Sequence, residues 1–107
     1  MAIYMQEAPS RDSLDGSAET ILIEFGADWC GYCRRAQPIV DAVLERRPGV
    51  RHLRIEDGPG RALGRSFRVK LWPTLILLEQ GREVARTVRP SDAAELESIF
   101  AALEGRE

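Results

Sequence analysis

Hydrophobic and polar positions alternate with different periods along the chain, and each period marks an element. "ETILIEF" concentrates Ile21, Leu22, Ile23 and Phe25 between polar residues and Gly26, the pattern of a buried strand. From Ala36 the apolar positions fall at Ala36, Ile39, Val40, Val43 and Leu44, the spacing of an amphipathic helix. That helix begins close to Cys30, carries Cys33 in its first turn and stops at "RPG", Arg47 to Gly49. Pro38 lies inside it and removes one backbone hydrogen bond. "VRHLRIE" reads as a strand on its β-branched content, although its alternation is imperfect. "GPGRALGRSF" is a glycine-punctuated loop with a short helix, and "TLILLEQGREVARTV" is a pair of strands joined at "EQGR". "PSDAAELESIFAALEGRE" is a closing helix, with Ser91 or Asp92 as N-cap, Leu96, Ile99, Phe100 and Leu103 as its core face and Gly105 as its stop. A short strand near Ile3 and a helical turn near Ser13 precede these elements. A strand–helix–strand start implies a right-handed parallel crossover, and the final hairpin adds antiparallel strands. The predicted class is α/β, a central mixed sheet with helices on both faces.

At 107 residues the chain is expected to form one domain over 1–107. Apolar residues make up 44% and charged residues 30%, a globular rather than disordered composition. No apolar run is long enough to span a bilayer, so no membrane contact is expected. The net charge of -2, with both signs scattered, argues against a nucleic-acid surface. The N-terminal stretch lacks a basic segment followed by an apolar one, so no secretory signal is visible, and a cytoplasmic, reducing location is expected.

In that setting the only two cysteines, Cys30 and Cys33, read as metal-binding or redox-active. Zinc needs three or four protein ligands, and beyond the pair the chain offers only His52 as a soft ligand, so no metal and no bound cofactor are expected. A thiol attacks a disulfide as the thiolate, and a helix N-terminus favours the anion. Cys30 lies at that point. It is the expected nucleophile, and Cys33, three residues on, is the thiol that resolves the mixed disulfide. Gly31 lets the turn form tightly. Tyr32 either covers Cys33 or contacts substrate or glutathione. Glu24, a lone carboxylate on a very apolar strand, is expected to have its pKa raised by burial and to relay a proton for Cys33; the other reading is an exposed or salt-bridged strand glutamate. Arg34 and Arg35 favour thiolates slightly, while Arg61, Arg65, Arg68, Arg82, Arg86 and Arg89 read as a solvated surface.

"ILIEFGADWCGYCRRAQPIV" followed by "LWPTLILLEQGREV" closely resembles thioredoxins, over nearly the whole chain and in the same order of elements. The resemblance implies the thioredoxin fold and reduction of protein disulfides through a reversible Cys30–Cys33 dithiol. It implies a cis peptide bond between Trp72 and Pro73, with Trp29, Gly31, Tyr32, Trp72, Pro73 and Thr74 shaping the substrate groove and the Trp72 backbone pairing with the substrate chain. It also makes Glu24 the counterpart of the family's aspartate proton relay, and places His52 where a lysine is common near that acid. His52 is then either coupled to Glu24 or a half-exposed strand histidine. Trp29 is core or a lid that packs against the disulfide turn. Implied partners are disulfide-containing proteins and a reductase or glutathione as electron donor, with the chain a monomer.

The chain also departs from the pattern. Tyr32 replaces the usual proline between the cysteines, which predicts a potential above the roughly -270 mV of thioredoxin, near the glutaredoxin range. Trp72 is larger than the usual aliphatic residue and narrows the groove or adds an aromatic contact. Gly26 replaces a frequent aromatic, and Arg89-Pro90 stands where a glycine helps form a flat apolar docking patch, so pairing with a standard reductase is in question. Two alternatives therefore accompany the main reading. One is a glutathione-linked, glutaredoxin-like oxidoreductase or isomerase; the other is a dimer holding an iron–sulfur cluster on two thiolates per chain.

Overall fold

The computed structural model describes residues 3–104. In chain order it has helix α1 (Arg11–Asp15), strand β1 (Thr20–Gly26), helix α2 (Gly31–Glu45), strand β2 (Arg51–Glu56), helix α3 (Ala62–Ser66), strands β3 (Thr74–Glu79) and β4 (Arg82–Val88) and helix α4 (Ala93–Glu104). The sheet runs β2-β1-β3-β4. β1 and β2 are parallel, with Glu24 opposite Arg54, and β3 is antiparallel to both β1 and β4. This is the predicted mixed sheet. Instead of a strand near Ile3 there is a single parallel bridge between Met5 and Ile55, fixed by Met5 N to Arg54 O (2.7 Å) and Glu56 N to Met5 O (2.8 Å). The helical turn near Ser13 is α1, with Ser10 as its N-cap.

β1 is apolar throughout because both of its faces are covered. Ile21, Ile23 and Phe25 pack with Leu53, Ile55, Ile76 and Leu78 beneath Leu14 of α1 and Leu63 and Phe67 at α3. Leu22, Leu75 and Leu77 point the other way, against Val40 and Val43 of α2 and Leu96, Ile99 and Phe100 of α4. Glu24 is in register with Leu22, and so lies on the α2 side. The β3–β4 turn places Gln80 at φ 50° and Gly81 at φ 81°, the left-handed pair that a tight hairpin requires. Asp92, not Ser91, caps α4, its Oδ1 accepting from Glu95 N at 2.9 Å. The expected stop at Gly105 lies outside the described residues. Among the described residues no helix is long and apolar enough to cross a membrane.

Candidate active site

The end of β1 and the start of α2 place the cysteines. Cys30 is the N-cap of α2 in extended conformation, and its sulfur accepts from Cys33 N at 3.2 Å. Both cysteines are free thiols. Cys30 keeps 7% of its surface exposed, whereas Cys33 is at 0%. Only the first has any face to a partner. Burial, with the Cys30 side chain next in importance, pushes the Cys33 thiol up to about 12. Gly31 begins the helix with open space where a Cβ would go and no left-handed φ, so the turn does not require glycine there, contrary to the sequence expectation.

Glu24 is fully buried, yet its carboxyl is shifted down, not up. Burial alone would raise it. The His52 hydrogen bond, the Arg54 charge and the Tyr4 hydrogen bond together outweigh that penalty. His52 Nε2 lies 3.0 Å from Glu24 Oε1, and Arg54 Nε donates to the same oxygen at 3.0 Å. Arg54 also donates to Asp41 at 3.1 Å. The salt-bridged reading of Glu24 thus holds together with its burial, and His52 is within hydrogen-bond distance of it. On the other carboxylate oxygen, the Tyr4 hydroxyl donates to Oε2.

Tyr4 is the residue that the sequence reading missed. It is 1% exposed and packs with Ala27, Cys30 and Cys33. A Cβ at Gly26 would stand 2.6 Å from Cys33 Sγ and 2.9 Å from the Tyr4 hydroxyl oxygen. Gly26 therefore makes room for a tyrosine arriving from the N-terminal segment. The segment is held by Asp28, whose Oδ1 accepts from Ile3 N at 2.7 Å and Tyr4 N at 3.2 Å.

Around this centre the Trp72–Pro73 bond is cis. Pro73 and Thr74 are buried, and the Thr74 hydroxyl donates to Leu71 O at 2.6 Å. Thr74 thus ties the loop together and offers its hydroxyl to that carbonyl, not to the groove. The Trp72 indole donates to Asp57 Oδ2 at 2.8 Å and meets Trp29 edge-on at 5.5 Å between centroids. Trp29 is 72% exposed, a surface residue beside the pair and not a core one. Tyr32 is also exposed. The Arg89 guanidinium lies 3.8 Å from its ring centroid and the Arg35 guanidinium 4.7 Å. These three line a cleft of about 450 Å³ with Ile39, Pro90 and Ser91. Arg89, at φ 50°, also donates from Nε to Trp72 O at 2.8 Å. The solvated-surface reading holds for exposed Arg65, Arg68, Arg82 and Arg86, the last also binding Glu83 and Phe67 O, and fails for two others. Arg89 is built into the site, and Arg61 binds Glu56 and Gln6 O.

A family model described as Thioredoxin matches residues 3–102. The chain belongs to the thioredoxin family. It is 32% identical to a thioredoxin-like protein of Synechocystis sp. over 90% of this chain and 92% of that one. It is 31% identical to a thioredoxin of Chlamydia muridarum over 90% and 96%. A solved structure of thioredoxin 2 from Pseudomonas aeruginosa PAO1 in its reduced form superposes with a TM-score of 0.84 at 57% identity, covering 97% of this chain and 96% of that one. As a thioredoxin, the chain is a protein thiol-disulfide oxidoreductase with a C-x-x-C redox pair, and its partners are disulfide-containing proteins and a reductase.

Proposed function

We propose that this thioredoxin works as a single-domain, monomeric cytoplasmic reductase in which Cys30 attacks and Cys33 resolves, with Glu24 taking up the proton that Cys33 must lose. The carrying observation is the contrast in exposure between the helix-capping Cys30 and the sealed Cys33. The Cys30 thiolate attacks one sulfur of a substrate disulfide; a Cys30–substrate disulfide forms and the substrate's other sulfur leaves as a thiol. Cys33 then attacks Cys30, closing the Cys30–Cys33 disulfide and releasing the substrate's second sulfur. Substrate is reduced by two electrons and the dithiol is oxidised by two. Cys30 itself contributes to the raised Cys33 value through a hydrogen bond and its charge. Both contributions are altered when Cys30 becomes part of a mixed disulfide, so Cys33 loses its proton more readily at the step that needs it. Trp29, Tyr32, Trp72 and Pro73 border the groove. Replacing Cys33 with serine should trap substrates on Cys30 as mixed disulfides; a variant that accumulates none with a disulfide protein such as insulin would refute the assignment.

One observation favours a second reading, glutathione as donor. Two guanidiniums, Arg35 and Arg89, flank Tyr32 at the cleft, and neither forms an ion pair with a carboxylate among the described residues. Glutathione carries two carboxylates suited to paired guanidiniums. Reduction of the oxidised protein by glutathione that is slowed in the Arg35→Ala variant would support it; equal rates in both proteins would remove it.

A further inference from the structure

We propose that Tyr4 is a catalytic residue, a proton wire that joins the Cys33 thiol to the Glu24 carboxylate. The proposal rests on the reading of Glu24 above and states how that carboxylate reaches the sulfur. The Tyr4 hydroxyl donates to Glu24 Oε2 and packs beside the Cys33 side chain. Cys33 Sγ and the Tyr4 oxygen crowd the same point above Gly26, 2.6 and 2.9 Å from where its Cβ would be. A buried phenol has one proton to give and lone pairs to accept with. Here it gives to the carboxylate and is left to accept from the S–H.

In the resolving step the Cys33 S–H proton passes to the Tyr4 oxygen as the Tyr4 proton passes to Glu24 Oε2. Tyr4 stays neutral throughout, which suits a phenol whose ionisation burial strongly opposes. The freed electron pair on Cys33 forms the bond to Cys30, the Cys30–substrate bond breaks, and its electron pair leaves on the substrate sulfur. Glu24, held below its ordinary value, takes the proton only in passing, with Arg54 and His52 on its other oxygen. His52, with 22% of its side chain exposed, is the member of the cluster facing water.

The test is single-turnover resolution of a Cys30 mixed disulfide, followed from near neutrality to alkaline pH. Tyr4→Phe keeps the ring in the space above Gly26 and removes only the wire. Resolution near neutrality should slow by about tenfold to a hundredfold, the low end of general acid–base contributions. The deficit should shrink as pH rises, when hydroxide takes the proton directly. Glu24→Gln should produce a similar deficit, and the double variant should be no slower than either. An unchanged rate and pH profile in Tyr4→Phe with a slow Glu24→Gln would overturn the wire while sparing the role of Glu24. Normal rates in both would overturn both. A slow Tyr4→Phe beside a normal Glu24→Gln would also overturn the wire, because the proton then has another acceptor. The unsubstituted protein gives an independent readout that no folding defect can blur. Resolution rates in H₂O–D₂O mixtures should bow with deuterium content, as two protons moving together require, and a linear dependence would refute the proposal.

Discussion

Arg89 Nε donates to the carbonyl oxygen of Trp72 at 2.8 Å, while the same guanidinium lies on the face of Tyr32. The side chain thus bridges the two borders of the groove and occupies one lone pair of a carbonyl that family resemblance assigns to substrate pairing. Replacing Arg89 with alanine frees that oxygen. A hydrogen bond of this kind is worth about 1 kcal/mol net, so kcat/KM for a neutral protein disulfide should rise by about fivefold. Insulin reduction measured for both proteins checks it; a fall in kcat/KM would mean that Arg89 helps substrate binding rather than competing with it.

Cys33 titrates at about 12 in the folded chain against 9.0 for its ordinary value. The folded state therefore keeps a proton that the unfolded state releases first. Stability from this group is complete below pH 9.0 and is lost as pH climbs toward about 12. Urea unfolding of the reduced protein across that window should show a steeper alkaline decline than the Cys33→Ser variant, which lacks the thiol.

The sign reverses for Glu24, whose folded value lies below the ordinary 4.5. Its stabilisation is present above pH 4.5 and is withdrawn as acid protonates it in the fold. Glu24→Gln should flatten the acid limb of the stability curve, seen as a smaller difference between unfolding free energies near neutrality and below that value. Glu24→Leu should be costlier near neutrality, by about 3 kcal/mol, because it leaves the part-buried guanidinium of Arg54 without its inner partner.

Two glycines flanking the same turn should answer alanine oppositely. At Gly26 the added methyl would stand 2.6 Å from Cys33 Sγ, and overpacking of this kind costs about 1–3 kcal/mol. At Gly31 it meets nothing within 4 Å, and the helix gains about 0.4–1 kcal/mol from a stiffer unfolded chain. Thermal melts of Gly26→Ala and Gly31→Ala should therefore move in opposite directions.

The sequence was most legible where one physical signal dominated. β1 and α2 stand out by periodicity, and the placement of Cys30 at a helix start follows from the two together. The direction of the Glu24 shift was not legible, because it depends on Arg54 and His52, which reach β1 only through the parallel pairing with β2. Burial was foreseen, and His52 as a partner; that Arg54 and Tyr4 would join it and outweigh burial was not. Tyr4 was invisible for a related reason. Its signal was the missing bulk at Gly26, a hole beside the cysteines that some distant ring had to fill, and nothing local ties residue 4 to residue 26. Arg89 misled because a cation on a polar stretch normally faces water, whereas here its left-handed backbone turns it over Tyr32.

The way the sheet ends has its own consequence. A free strand margin is a template on which other chains can polymerise. On the β2 side the backbone groups flanking Ile55 are already taken by Met5. On the β4 side Arg82, Glu83 and Arg86 line a strand broken by a register shift at Leu77/Leu78. A protein whose work brings it against partly unfolded, cystine-bearing chains thereby presents them with sulfur chemistry at one end and little for them to stick to along its flanks.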